Sequence, residues 1–264
     1  MLPTNPYPRG RPGALAWPAA VLLLVGCTSM PPAVPPTIAD SPWAGASTVA
    51  GVVGSADAWR HWRLPGKAEV RFVPVTVNGR HALAASADAA ASVVRRKVRV
   101  EPEALGLVRF SWKVPELIAG ADLAAREVAD APVRIVLTFD GDRSRFSAKD
   151  AMLAELVRAV TGEEMPYATL MYVWANQQPV DSLVHSPRTG RIRKIAAESG
   201  PARLGQWLDY ERDVRADFER AFGEPPGPLV GIAVMTDSDN TRTSVKAWYG
   251  PVRLESRGDA QAAR

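Results

Sequence analysis

The sequence predicts a mainly all-β domain, a sandwich of two sheets with two short helices in its connections. Along most of the chain, short segments alternate apolar and polar side chains, the period-two pattern of half-buried strands. Turn signals separate them at short intervals, as in sandwiches and barrels. The connections that carry helices fit a sandwich with decorated loops better than a plain barrel. At 264 residues the chain can bury one sizeable core, and all-β domains of this length are often single.

Residues 1–26 come first. Arg9 and Arg11 are their only charges, and an apolar run over 14–25 is broken only by Pro18. A positive start, a short apolar core and small residues before a cut form the pattern of a secretory signal peptide. A membrane-spanning helix needs about 20 apolar residues, and this run is shorter. It ends Leu24-Val25-Gly26-Cys27, which resembles a lipobox. A thiol there takes diacylglycerol through a thioether, and the small residue before it lets the signal peptidase reach the backbone. Cys27 is the single cysteine, so it has no disulfide partner within the chain, and lipidation gives it a use. The expected partner is therefore a membrane, reached through lipid on Cys27. Thr28, not Asp, follows the cysteine, which for a Gram-negative lipoprotein implies the outer membrane, facing the periplasm. Loss of Arg9 and Arg11 lowers the net charge from +4 to +2, too near balance to point to nucleic acid. With Cys27, residues 28–42 read as an extended tether, since they carry Pro31, Pro32, Pro35, Pro36 and Pro42.

The sandwich is expected over 43–257. A run over 70–77 reaches Asn78-Gly79 and another leaves over 81–86, a hairpin signal because both turn positions tolerate positive φ. Strands follow at 93–100 and 107–114, the latter with Val108, Phe110, Trp112 and Val114 on one face. At 133–139, Val133, Ile135, Leu137 and Phe139 point one way and Arg134 the other. At 169–175, Leu170, Tyr172 and Trp174 share a side. Residues 204–212, 229–235 and 244–254 complete the set. The first helix is capped by Ser147, closed by Gly162, and reads as burying Met152, Leu153, Leu156 and Val160. The second, 214–222, places Val214, Phe218 and Phe222 in one stripe before Gly223. Residues 258–264 read as a tail without packed structure.

From Trp59 to Leu254 the chain resembles the bacterial family called domain of unknown function 3047. The matching pieces are Asn78-Gly79-Arg80, Phe110-Ser111-Trp112-Lys113-Val114, Asp130 with Arg134, Tyr172-Val173-Trp174, Gly205-Gln206-Trp207, Glu211-Arg212-Asp213-Val214, and the run from Gly231 through Met235-Thr236-Asp237-Ser238-Asp239-Asn240 to Thr241. Trp248-Tyr249-Gly250 closes the match. The resemblance implies a secreted or lipid-anchored protein with a jelly-roll-like sandwich, an architecture shared with many carbohydrate-binding modules. Here Ala129-Asp130 stands where the family has Asp-Asp, and the helix after Ser147 lengthens a connection.

The histidines, His61, His81 and His185, are scattered, and no nucleophile elbow or phosphate loop is present. Candidate chemistry rests on other residues. Asp237, Asp239 and Asn240 end an apolar strand. They read as an Asx-type turn, as ligand contacts, or as oxygens that gather calcium. Arg134 can pair with Asp130, Asp237 or Asp239, as a clamp or as the polar centre of a cleft. Among eight tryptophans, Trp112 and Trp174 read as core. Trp207 shares a face with Asp209 and Glu211 and reads as a surface residue on which a sugar could stack. Asp209 with Glu211, or Asp237 with Asp239, are spaced as a glycosidase pair could be. Three functions stay open: a non-catalytic glycan-binding lipoprotein, a carboxylate-dependent enzyme on an envelope polysaccharide, and a structural or protein-interaction component. A single open cleft shared by Trp207, Arg134, Asp237 and Asp239 would favour the first.

Overall fold

Alternation of inward apolar and outward polar side chains produces two sheets packed face to face. The computed structural model describes residues 37–258 and Met1. The rest of the signal segment, Cys27, residues 28–36 of the tether and 259–264 of the tail lie outside the described residues. The elements are α1 (Pro42–Ala46), β1 (Arg60–Arg63), β2 (Arg71–Val77), β3 (Arg80–Asp88), β4 (Ala91–Val100), β5 (Leu105–Lys113), β6 (Ala131–Phe139), α2 (Ala148–Thr161), β7 (Ala168–Ala175), β8 (Leu183–His185), β9 (Ile192–Ser199), β10 (Trp207–Asp213), α3 (Val214–Phe222), β11 (Leu229–Asp237), β12 (Ser244–Tyr249) and β13 (Arg253–Ser256).

The larger sheet runs β1-β4-β11-β6-β7-β9-β8, and the smaller runs β10-β5-β12-β3-β2, with β13 also on β5. β3 pairs with β12, β4 with β11 and β5 with β10, all antiparallel. These nested pairs fall alternately in the two sheets, as a long hairpin does when rolled around a core. That is the jelly-roll arrangement. Between the sheets lie Val108, Phe110 and Trp112 of β5, Ile135, Leu137 and Phe139 of β6, and Leu170, Tyr172 and Trp174 of β7. Phe110 stacks on Tyr172 with ring centroids 5.5 Å apart. The β2–β3 turn has Asn78 at φ 53° and Gly79 at φ 75°, the left-handed pair that matches strand twist. α3 forms where its stripe predicts. Asp213 caps it, Gly223 ends it, and Phe218 meets Phe139 at 4.6 Å.

Three expectations change. The body starts before residue 43: Ile38 packs against the core, and Ser41 caps α1 by accepting from the Ala44 amide. Trp43 is buried against Trp59 and donates its indole N–H to the Gly250 carbonyl at 3.0 Å. The 244–254 strand is two strands, broken at Gly250-Pro251. Gly250 lies so close to Ser111 that a Cβ would fall 2.0 Å from its Oγ.

The third change concerns α2. Its caps form as expected, but Met152, Leu156 and Val160 face solvent at 70, 58 and 60 % exposure, and Leu153 is only half-buried. An i, i+4, i+8 stripe reports that one face is apolar, not what it faces. α2 is instead held near its two ends, by Thr189 on Asp150 and by Arg95 on Glu163. Replacing Leu156 with Lys should therefore change stability by no more than about 0.5 kcal/mol in urea unfolding. A loss of several kcal/mol would restore the buried stripe. No helix among the described residues is long and apolar enough to cross a membrane.

Candidate functional site

The inner row of β6 turns Arg134 and Val136 outward. On β11, Ala233 and Met235 face the same way, and Met235 lies opposite Arg134. With Val93, Trp62 and Met171 these side chains make an apolar patch on the outer face of the larger sheet. A register irregularity after Met235 carries the chain into Asp237 beside Arg134. The buried Arg134 donates through Nη2 to Asp237 Oδ2 at 2.8 Å and to the Ala129 carbonyl at 2.6 Å.

Asp130 ties the start of β6 to the loop after β11. It accepts from the Thr241 amide, the Thr241 hydroxyl and the Asn240 side-chain amide, each at 2.7 Å. Burial alone would raise its carboxyl, but these hydrogen bonds hold it below the ordinary value. Lys67, from the β1–β2 loop, pairs with Asp239. Oxygens of Asp130, Asp237 and Asp239 lie within 4.8 Å of one another. Asp237 Oδ1 is buried without a hydrogen-bond partner. Burial pushes the Asp237 carboxyl up, against the pull of Arg134, and the neighbouring Asp239 and Asp130 push it further.

Two adjoining hollows lie on this face. One, about 170 Å³, is lined by Lys67, Arg134, Arg188, Lys194, Asp237 and Asp239. The other, about 600 Å³, runs between the sheet and the C-terminal end of α2, over Trp62, Val93, Val136 and Ala233 on one side and Val157 and Glu163 on the other. Leu64 lines both. At the far end the Arg95 guanidinium stacks 3.5 Å over Trp62 and forks onto Glu163 at 2.6 and 2.7 Å. Arg95, with Lys97, holds the Glu163 carboxyl down at about 2.

The sequence-predicted site residues thus divide. Asp130, Arg134, Asp237, Asp239 and Asn240 come together. Trp207, Asp209 and Glu211 do not join them. They lie on β10 at the edge of the smaller sheet, whose outer face is the other side of the sandwich. There Arg80 pairs with Asp209 at 2.6 Å and lies 5.0 Å over Trp207, and Arg109 pairs with Glu211 at 2.8 Å. Each carboxylate of that supposed glycosidase pair is matched by its own arginine. Asn240 lies between the acidic cluster and Arg188. Its amide N–H₂ faces Asp130, and its oxygen accepts from Arg188 at 3.3 Å; Asp130 stands with Asp237 and Asp239 in the acidic cluster.

Sequence reasoning missed Lys67, Arg188, Lys194 and the groove role of Trp62. Lys194 is on β9, where the alternation dissolves into Ile195-Ala196-Ala197 and a lone Lys reads as solvated. It is in fact buried, and its Nζ donates to the Leu123 carbonyl at 2.8 Å. Burial, with Arg134 close by, pushes its amine down to about 7. An unfolded lysine keeps its proton up to the ordinary 10.5. Between these values the unfolded chain binds more protons, so this group makes stability rise with pH from about 7 to about 10. Urea unfolding at several pH values should show that rise in the parent and its flattening in Lys194→Met. An unchanged slope would mean that the amine is solvated.

Fold and site together define a jelly-roll β-sandwich with a charged, apolar-floored groove across its larger sheet. The chain belongs to the family described as "Protein of unknown function (DUF3047)", whose model matches residues 57–253, a span that includes every residue of this groove. No curated protein is significantly similar in sequence. Among solved structures, the chain is similar to the xyloglucanase domain of NopAA, a type three effector from Sinorhizobium fredii, in complex with cellobiose. Identity is 8 %, the TM-score is 0.38, and the match covers 77 % of this chain and 97 % of that one.

Proposed function

We propose that this protein is a cell-envelope lipoprotein, held at the outer membrane by lipid on Cys27, whose sandwich binds a glycan without cleaving it. The groove over β1, β4, β11 and β6 is the observation that carries this reading. A sugar ring has an apolar face and a hydroxylated edge. The groove offers an apolar floor with an indole, Trp62, and ion pairs at both ends to accept and donate hydrogen bonds. Its length across four strands suits a chain of sugars better than a compact ligand. Titration of the mature chain with envelope oligosaccharides should give binding that Trp62→Ala weakens about tenfold. No binding to any glycan on an array would overturn the reading. Labelling with palmitate should be lost in Cys27→Ser, and that variant should leave the membrane fraction.

Arg134 and Lys67 pair with Asp237 and Asp239, and Asp130 is met by hydrogen bonds from Asn240 and Thr241, so the reading needs no calcium. Millimolar calcium or EDTA should leave both the melting temperature and glycan affinity unchanged. A calcium-dependent rise in melting temperature would put a cation on Asp130, Asp237 and Asp239.

One observation favours a second reading, an enzyme on an envelope polysaccharide. Asp237 is a carboxyl raised by burial, next to the ionised Asp130 and at the end of a groove, which is the requirement for a general acid. New reducing ends released from a polysaccharide by the parent and not by Asp237→Asn would establish it.

A further inference from the structure

We propose that the glycan carries a carboxylate, a uronic acid, and that this group docks in the small hollow between Lys194 and Arg188. The inference rests on the groove being a glycan site and names the class of sugar it takes.

Two cations in the hollow have no ion-pair partner among the described residues. Of the basic side chains that line the hollow, Lys67 is paired with Asp239 and Arg134 with Asp237. Lys194 and Arg188 have only neutral acceptors, the Leu123 carbonyl and the Asn240 side-chain oxygen. Arg134 adds a buried Nε–H with no hydrogen-bond partner. Cationic groups left without an ion-pair partner of their own disfavour one another and are costly to bury. The lowered amine of Lys194 is the sign of that strain. The groups that face it are Arg134 of β6, Asp237 of β11, and Arg188 and Asp122 from loops. Asp122 is already engaged by the Gln178 amide and the Ala124 N–H.

The sign and size of the surplus select the ligand. With every group ionised, Lys67, Arg134, Arg188 and Lys194 face Asp130, Asp237 and Asp239, which leaves one positive charge. A carboxylate matches it, whereas a dianionic phosphate would exceed it and press against Asp237. The adjoining larger groove takes the rest of the sugar chain, so the acid is recognised at one end. Docking would restore the full charge on Lys194. Binding therefore takes up a proton above about pH 7, and affinity falls as pH rises from there.

Titration calorimetry on the mature chain, with trigalacturonate and its methyl ester, tests this at about pH 6.5 and 8.5. The acid should bind about tenfold more tightly than the ester, the difference one charge-assisted hydrogen bond makes. Proton uptake should accompany it at the higher pH. Lys194→Met should abolish both the preference and the uptake, and Arg188→Ala, at an exposed residue, should weaken the preference even if the first variant folds poorly. Equal affinity for acid and ester would overturn the inference and leave the glycan reading standing. Displacement of the acid by equimolar inorganic phosphate would also overturn it, by making the hollow a general anion site. Failure of every sugar to bind would remove both.

Discussion

Arg134→Met is expected to destabilise the domain by about 3–5 kcal/mol at pH 8, because it strips the counter-charge from a buried carboxylate. Arg134 and Asp237 are both buried, and their side chains meet at 2.8 Å. Without the guanidinium, Asp237 sits beside Asp130 and Asp239 with no ion-pair partner of its own, and Lys67 is already paired with Asp239. Its remaining escape is to hold a proton, which its raised carboxyl does readily. The folded variant then binds a proton that the unfolded chain has released, so its stability falls as pH rises. The loss should accordingly be smaller at pH 5 than at pH 8. Urea unfolding at the two pH values measures this. The double variant Arg134→Met/Asp237→Leu should recover most of the stability, since an apolar pair can replace a buried ion pair. A loss independent of pH, and not recovered in the double variant, would mean that Arg134 acts through packing alone.

Asp217→Ala should cost a similar amount, about 3–5 kcal/mol, for a reason remote from the groove. Asp217, on α3, accepts from Arg212 through Nε and Nη2, both at 2.8 Å, from Arg220 at 3.1 Å and from the Tyr172 hydroxyl at 3.0 Å. Tyr172 belongs to the larger sheet and Arg212 to the smaller. One carboxylate therefore fastens the helix to both layers. Its loss leaves the half-buried Arg212 guanidinium with Asp181 alone, through Nη1 at 2.6 Å, and a fully buried phenol without its acceptor. Tyr172→Phe removes one neutral donor only and should cost about 1 kcal/mol. Denaturant midpoints of the two variants separate the contributions. Equal losses would show that the aromatic packing, not the ion pair, is what matters.

The fold was legible where one face of an element is dry. β5, β6, β7 and α3 lie where alternation or a helical stripe places them, because each buries an unbroken apolar row. The acidic loop was legible as a polar string after an apolar strand, and Arg134 as a cation on the wrong face. The partners of that string were not legible. Lys67, Arg188 and Lys194 are ordinary basic residues in sequence, and their significance comes from strands and loops that meet only after folding. The α2 stripe faces solvent, and Trp207 lies outward with Asp209 and Glu211 as read, but on the other sheet from Arg134. Periodicity assigns residues to a face, and only the topology says whether that face meets the core, solvent or the site.

The nested pairing of β3 with β12, β4 with β11 and β5 with β10 has a temporal consequence. Ser244 bonds Asp88 across 156 residues, and no inner strand of the first half can complete its ladder before the last quarter of the chain arrives. Contacts so distant make folding slow, because loops must close before they are rewarded. A polypeptide emerging from the ribosome N-terminus first would stay without a stable partial domain until synthesis is nearly finished. For a chain proposed to leave the cytoplasm, that delay keeps it threadable, and the jelly roll closes only on the far side.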